Sequence, residues 1–280
     1  HHEFLPEIKT YDSYLESILA EIGVIELFKL GIVFADKITT TSKNYTNEIL
    51  SEEFGLGLES FFLQRSKDLY GIMNGVNYKI WNPSKDKYIA RNYSADELGE
   101  KIRNKDVLIK ELGLPDKKWP LIIFGGRLEY RKGIDLVINC LRELSKLKIN
   151  LVIYGTGEEE YQIRLKEMIG RFPNVFIKID FNEQIAHKLL AGADFILLPT
   201  RVEPGGVSHL YALKYGVIPI ARRVGGLLDA IVEQVSVNNM VNGNSLSSAN
   251  NKNFNGFLFT SYYENSLIDI IREAAEVYYD

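Results

Sequence analysis

From about Lys118 onward, short apolar runs alternate with longer segments of helical period. The runs are Pro120–Phe124 (P-L-I-I-F), Asn150–Tyr154 (N-L-V-I-Y), Asn174–Ile179 (N-V-F-I-K-I), Ala193–Leu198 (A-D-F-I-L-L) and Val217–Ala221 (V-I-P-I-A). They are β-branched and nearly free of charge, the pattern of parallel strands buried on both faces. Helical patterns separate them at Gly133–Leu147, Glu158–Arg171, Glu183–Ala191, Val207–Tyr215 and Gly226–Glu233. A short G-F-L-F strand at Gly256–Phe259 and a last helix, Glu264–Tyr278, close the chain. The alternation predicts an α/β fold: a Rossmann-like, doubly wound parallel sheet with right-handed crossovers.

The first 83 residues read differently. Leu15–Phe28 is helical in period. Gly31–Ile38 reads as a strand giving way to the N-cap-rich turn A-D-K-I-T-T-T-S. Tyr45–Glu53 predicts a helix and Leu69–Asn74 a strand, too little for a complete sheet. Ser84–Leu112 is charged and predicts a helical connecting segment. The stretch 236–255 is rich in Asn and Ser and reads as a mobile surface insertion. The expected division is a partial α/β remnant and hinge over residues 1–83 and a nucleotide-binding domain over 84–280.

Composition narrows the partners. The formal net charge is −4 over 280 residues, which argues against general binding to nucleic acid or a membrane surface. No apolar run reaches the ~18–20 residues of a membrane span. One cysteine, Cys140, rules out an internal disulfide and points to a reducing compartment. It sits in V-I-N-C-L as a buried structural thiol. The opening H-H-E-F is expected to be a tag remnant or a cut inside a longer protein.

Ligands of open parallel sheets bind beyond the carboxyl ends of the strands, so the loops there carry the chemistry. After Phe124 comes G-G-R-L-E-Y-R-K-G: either Gly125 and Gly126 admit a ligand to which Arg127 and Lys132 supply two cations, or the stretch is a solvated basic turn, and by itself it does not choose. After Tyr154, G-T-G-E-E-E reads as a structural turn into an acid-started helix, with close approach to a nucleotide as the second reading. After Ile179, Asn182 reads as an N-cap; Phe181 is a hydrophobic staple or a flat surface for a base, and its position alone does not choose. Glu203, Gly205 and Gly206 precede the helix expected at Val207, and A-R-R-V-G-G-L-L-D repeats the plan at Gly225 and Gly226. Two glycine-opened helix starts and a cationic pair on one rim suit a diphosphate. The four histidines, His1, His2, His187 and His209, form no metal-ligand spacing, and His187 reads as a packing or capping residue. Phosphate charge is then met by Arg, Lys and backbone amides without an obligatory metal or cofactor.

At this level of detail the chain resembles bacterial glycogen synthases and plant starch synthases, glucosyltransferases of the GT-B fold. The resemblance runs in order through A-D-K-I-T-T-T-S (35–42), F-G-L-G-L (54–58), G-I-M-N-G-V-N (71–77), W-N-P (81–83), G-R-L-E-Y-R-K-G-I-D, A-G-A-D-F-I-L-L-P-T-R-V-E-P-G-G-V and R-R-V-G-G-L-L-D. It implies retaining transfer of glucose from a nucleotide sugar, ADP-glucose in most members, to the end of an α-1,4-glucan. By match, Arg127 and Lys132 would hold the diphosphate and Glu203 would contact the sugar hydroxyls. The amides of Gly206 and Val207, in the Gly205–Val207 turn, would meet the distal phosphate; Phe181 would stack on the base; Asn74 would face the cleft; Gly225 and Gly226 would belong to the donor site.

The chain departs from the family pattern at Gly205 (Cys in the family), Val207 (Leu), Ser208 and His209 (Asn/Thr-Gln), Val224 (Thr) and Asn77 (Asp). The family's N-terminal half with its K-x-G-G-L loop is not in this sequence, so the resemblance implies a partner in the missing half of the same enzyme. The implied location is the cytoplasm, or the plastid stroma in a plant or alga. Two alternatives stay open at this point: a non-catalytic nucleotide-sugar or glucan-binding module, and a GT-B enzyme using UDP-glucose.

Overall fold

The computed structural model describes residues 27–233 and 254–280. The expected helix at Leu15–Phe28 and the Asn/Ser-rich stretch therefore lie almost wholly outside the described residues. The chain divides into two compact units, one of His1–Thr40 with Thr46–Tyr70, the other of Thr41–Tyr45 with Gly71–Asp280.

In the smaller unit, α1 (Leu27–Phe34) leads to β1 (Ile38–Thr40). The first half of the strand expected at Gly31–Ile38 is thus helix, so short an apolar run leaving period alone unable to separate the two states. The chain continues through α2 (Lys43–Glu48), whose first three residues belong to the larger unit, then α3 (Glu52–Gly55), α4 (Glu59–Gln64) and β2 (Leu69–Gly71), which pairs with β1. Arg65 donates to the carbonyls of Ile32 and Val33, which end α1 without helical partners.

The larger unit begins irregularly. Only α5 (Gly99–Leu112) of the expected Ser84–Leu112 helix forms. Residues 84–98 instead form an irregular segment that buries Asp86 and Tyr93, and Asn92 donates to the carbonyls of Pro83 and Asp86 at 3.0 and 2.8 Å. There follow β3 (Leu121–Leu128), α6 (Ile134–Leu144), β4 (Asn150–Gly157), α7 (Glu159–Lys166), β5 (Val175–Ile179), α8 (Glu183–Gly192), β6 (Phe195–Leu198), α9 (Ser208–Lys214), β7 (Ile218–Arg222), α10 (Leu227–Ala230), β8 (Phe257–Phe259) and α11 (Glu264–Tyr279).

All six strands are parallel, in the order β5-β4-β3-β6-β7-β8. Counted from β3, this is the 3-2-1-4-5-6 order of the Rossmann plan, as the alternating pattern predicts. β3 sends Ile122 and Phe124 into one core, with α6, α7 and α11, and Leu121 and Ile123 into the other, with α5, α8 and α9. The sheet is buried on both faces, which is why its strands carry so little charge. Ile122 is fully buried; truncating it to Ala costs about 2–5 kcal/mol. The chain order reverses between β3 and β6, and the loops leaving these two neighbours therefore diverge and open a crevice at their carboxyl ends.

Candidate functional site

That crevice holds a cleft of ≈ 350 Å³ whose lining includes Gly126, Arg127, Arg131, Lys132, Glu203 and Gly206. Its two charged walls come from the loops after β3 and β6. β3 runs further than the apolar pattern predicts, because Gly125–Leu128 stays paired with Tyr154–Gly157 of β4. Arg127 is consequently a strand-end residue. Its side chain is exposed, and Nη1 lies 3.1 Å from Glu129 Oε1; Arg131 approaches the same carboxylate at 3.6 Å. The chain then tightens into a 3₁₀ turn at Tyr130–Lys132.

Lys132 reaches across the crevice: its Nζ is 2.6 Å from Glu203 Oε2. The Glu203 side chain is 9% exposed and that of Lys132 25%. Two carboxylates face three cations here, which leaves an excess of one positive charge.

The register of the two loops is over-determined. Gly133 has φ +78° and lies so close to the β6 loop that a Cβ would sit 2.0 Å from the Pro199 carbonyl oxygen; only glycine fits both demands. The Arg201 N–H donates to the Arg131 carbonyl at 2.9 Å, and Arg201 Nη1 to the Tyr130 carbonyl at 2.7 Å. The Arg201 guanidinium makes a forked pair with Asp135 at 2.8 and 2.7 Å. It lies between the rings of Tyr130 and Tyr262, 3.4 and 3.9 Å from their centroids. This clamp holds Lys132 opposite Glu203 without entering the lining on the Glu203 side.

The Glu203 loop is braced from behind as well. The Gly226 N–H donates to the Glu203 carbonyl at 2.9 Å. A Cβ on Gly226 would stand 2.7 Å from the Gly205 Cα, and one on Gly205 2.3 Å from the Thr41 Oγ1. Asn74 Nδ2 donates to the Gly205 carbonyl at 3.3 Å. Asp229, at the end of the G-G-L-L-D run, accepts from the Ser42 hydroxyl at 2.5 Å and the Lys43 N–H at 2.8 Å. The two glycine pairs therefore differ in use. Gly206 and Val207 line the charged cleft; Gly225 and Gly226 lie outside that lining, where Gly226 lets two backbones touch.

A second cleft of ≈ 270 Å³ shares Gly125, Gly126 and Ser208 with the first. Its walls are mostly apolar and include Trp81, Tyr154, Phe181, Leu189 and Tyr211. Phe181 is 85% exposed, which excludes the buried staple; its ring is one wall of this cleft. Asn182 caps α8, accepting from the Gln184 N–H at 2.9 Å, as its position predicts.

Several residues of this region escape sequence reading. Arg131 passes as one more surface cation, and Trp81 appears only within the W-N-P match, with no role attached to it. His209 is 1% exposed and its Nε2 is buried with no hydrogen-bond partner among the described residues. Burial lowers its pKa to about 4, against the opposing pull of Glu203. His187 is buried, stacks on Trp81 and bonds to Asp86, so packing is its observed situation. Burial pushes the Cys140 thiol up to about 12, where it is inert. Among the described residues, no group of three His, Cys, Asp or Glu could hold a metal ion, and no helix is long and apolar enough to cross a membrane.

Comparison with known proteins matches residues 104–276 to the family "Glycosyl transferases group 1" and residues 2–64 to "Starch synthase catalytic domain". The glycogen synthase of Thermodesulfovibrio yellowstonii is 39% identical over 91% of this chain and 48% of its own length. Glycogen synthase 2 of Nitrosococcus oceani is 41% identical over 91% and 50%. The chain thus spans about half the length of the curated relatives it matches. Among solved structures, the catalytic domain of starch synthase IV from Arabidopsis thaliana, bound to ADP and acarbose, superposes with a TM-score of 0.80 at 28% identity, over 90% of this chain and 50% of that one. HepE of Anabaena, in complex with UDP and glucose, shares the fold at 17% identity, with a TM-score of 0.59 over 96% of this chain and 59% of that one.

Proposed function

The chain belongs to the group 1 glycosyl transferases, and on that premise we propose that it is the donor-binding half of a glycogen or starch synthase. It would take glucose from ADP-glucose and pass it, with retention, to the non-reducing end of an α-1,4-glucan. The observation that carries the reading is the Lys132–Glu203 pair, 2.6 Å apart in the switch-point crevice, with an aromatic cleft adjoining it across Gly125 and Gly126. A nucleotide sugar has the same division: a flat base at one end, a doubly charged diphosphate, and a hexose rich in hydroxyls.

In this reading Arg127 and Lys132 meet the diphosphate. An ammonium has three donors, so Lys132 can keep Glu203 while binding phosphate oxygens. The amides of Gly206 and Val207 would receive the distal phosphate, and Glu203, acceptor-only when ionised, would orient the glucose hydroxyls. As the glycosidic bond breaks, negative charge grows on the leaving phosphate and positive charge on the sugar ring. Cations already fixed in place stabilise the first without reorganising. The acceptor hydroxyl would attack on the face the phosphate leaves, with that phosphate taking its proton. The acceptor's binding site and the rest of the crevice would come from the remainder of the protein.

The test is glucosyl transfer from ADP-[¹⁴C]glucose to glycogen by the intact gene product, beside calorimetric titration of this chain with ADP and UDP. Turnover that Glu203→Ala abolishes, with ADP bound more tightly than UDP, is the expected result. Binding without turnover in the intact protein would make it a nucleotide-sugar binding module; tighter UDP would reassign the donor.

A further inference from the structure

Behind the aromatic cleft lies a buried polar network that the proposed chemistry does not use. The Asp86 carboxylate, its side chain 1% exposed, accepts at one oxygen from His187 Nδ1 at 2.6 Å and from the Tyr215 hydroxyl at 2.6 Å. Its other oxygen accepts from the Tyr88 N–H at 2.9 Å. A carboxylate only accepts, so the His187 proton sits on Nδ1. His187 Nε2 is buried with no hydrogen-bond partner among the described residues; the nearest acid, Glu183 of the apolar cleft, is 3.8 Å away. The His187 ring lies parallel to Trp81, with centroids 4.0 Å apart and planes within 3°; Trp81 in turn stacks on Tyr211 at 4.3 Å and 10°. Trp81 and Tyr211 both line the aromatic cleft.

A phenylalanine at 187 would stack as well. What the Asp86 bond adds is a fixed ring plane, since a hydrogen-bonded imidazole cannot rotate without leaving a buried carboxylate short of a donor. That plane is passed by stacking to Trp81 and Tyr211. Resting on the nucleotide-sugar reading above, we propose that Trp81 is a contact wall for the nucleobase, and that Asp86, His187 and Tyr215 are positioning residues acting through it.

The chain has two tryptophans, so Trp119→Phe leaves Trp81 as the sole indole fluorophore. In that background ADP is expected to change the emission and inorganic pyrophosphate to bind without changing it. His187→Phe should raise the Kd for ADP about tenfold, and Tyr215→Phe about threefold, each moving the Kd for pyrophosphate less than twofold by calorimetry. A merely structural network would weaken both ligands together, and that result overturns the proposal, as does ADP binding that leaves Trp81 emission unmoved. Should His187→Phe fail to fold, the fluorescence of the Trp119→Phe protein alone decides. Binding of pyrophosphate but not ADP would sink this inference and leave the phosphate assignment standing; binding of neither would remove the donor-site reading itself.

Discussion

The two clefts that meet at Gly125 and Gly126 solve opposite problems. The charged one gathers ions of both signs and pairs them: Lys132 on Glu203, Arg127 and Arg131 on Glu129. The aromatic one carries a single acid, Glu183, and offers mainly flat surfaces at a set angle. A polar cluster lies behind the rings, where Asp86, His187 and Tyr215 satisfy one another. The difference teaches where each half is fragile. Removing one ion strands its partner, whereas removing the exposed Phe181 ring loses only its own contact.

The largest expected effect is on the charged side. Glu203→Ala should lower kcat/KM for glucosyl transfer about 10³-fold, the scale of losing a preorganised electrostatic contact. Part of the loss would come from Lys132 left unpaired. A drop below tenfold would detach Glu203 from the sugar.

Next comes His209, which touches neither ligand yet lies in the field of the charged pair. Its folded-state pKa is depressed to about 4 from 6.5, by burial first. Between these values the unfolded chain takes up a proton that the folded chain refuses, so stability falls as pH drops from 6.5 toward 4. The integrated loss is up to about 3 kcal/mol. Glu203, which raises the pKa, and Lys132, which lowers it, face this group. Urea melts of the wild type and His209→Gln at pH 7.5 and 5.0 should show a steeper decline in the wild type; equal declines would mean the imidazole is not held neutral.

Lys132→Ala should weaken pyrophosphate binding by roughly 1.5–3 kcal/mol, the worth of a charge-assisted hydrogen bond, and ADP to the same extent, by calorimetry. On the aromatic side, Phe181→Ala should cost about 1–1.5 kcal/mol for ADP and nothing measurable for pyrophosphate. If Phe181→Ala weakened both ligands alike, the division of labour between the clefts would fail.

The larger unit was legible because its strands are buried on both faces and leave an unbroken apolar mark. The smaller one was not: G-I-V-F in α1 fits strand and helix equally. Lys132 and Glu203 could be read because each follows a strand in a glycine-bearing turn, where ligands of such sheets lie. Trp81 and Asp86 could not, since their partners His187, Tyr211 and Tyr215 are more than a hundred residues away and no local pattern announces the contact. Phe181 was halfway: its position allowed staple or platform, and exposure chose the platform.

By itself the sequence determined the parallel sheet, its helices and the carboxyl-end rim where charge would gather, because periodicity and glycine placement act over a few residues. Only the tertiary structure decided that Gly226 braces Gly205 rather than lining the charged cleft, that Arg201 clamps the two loops, and that a buried histidine sets the plane of Trp81. These depend on backbones and rings brought within a few ångströms by strand order, a distance no stretch of sequence encodes.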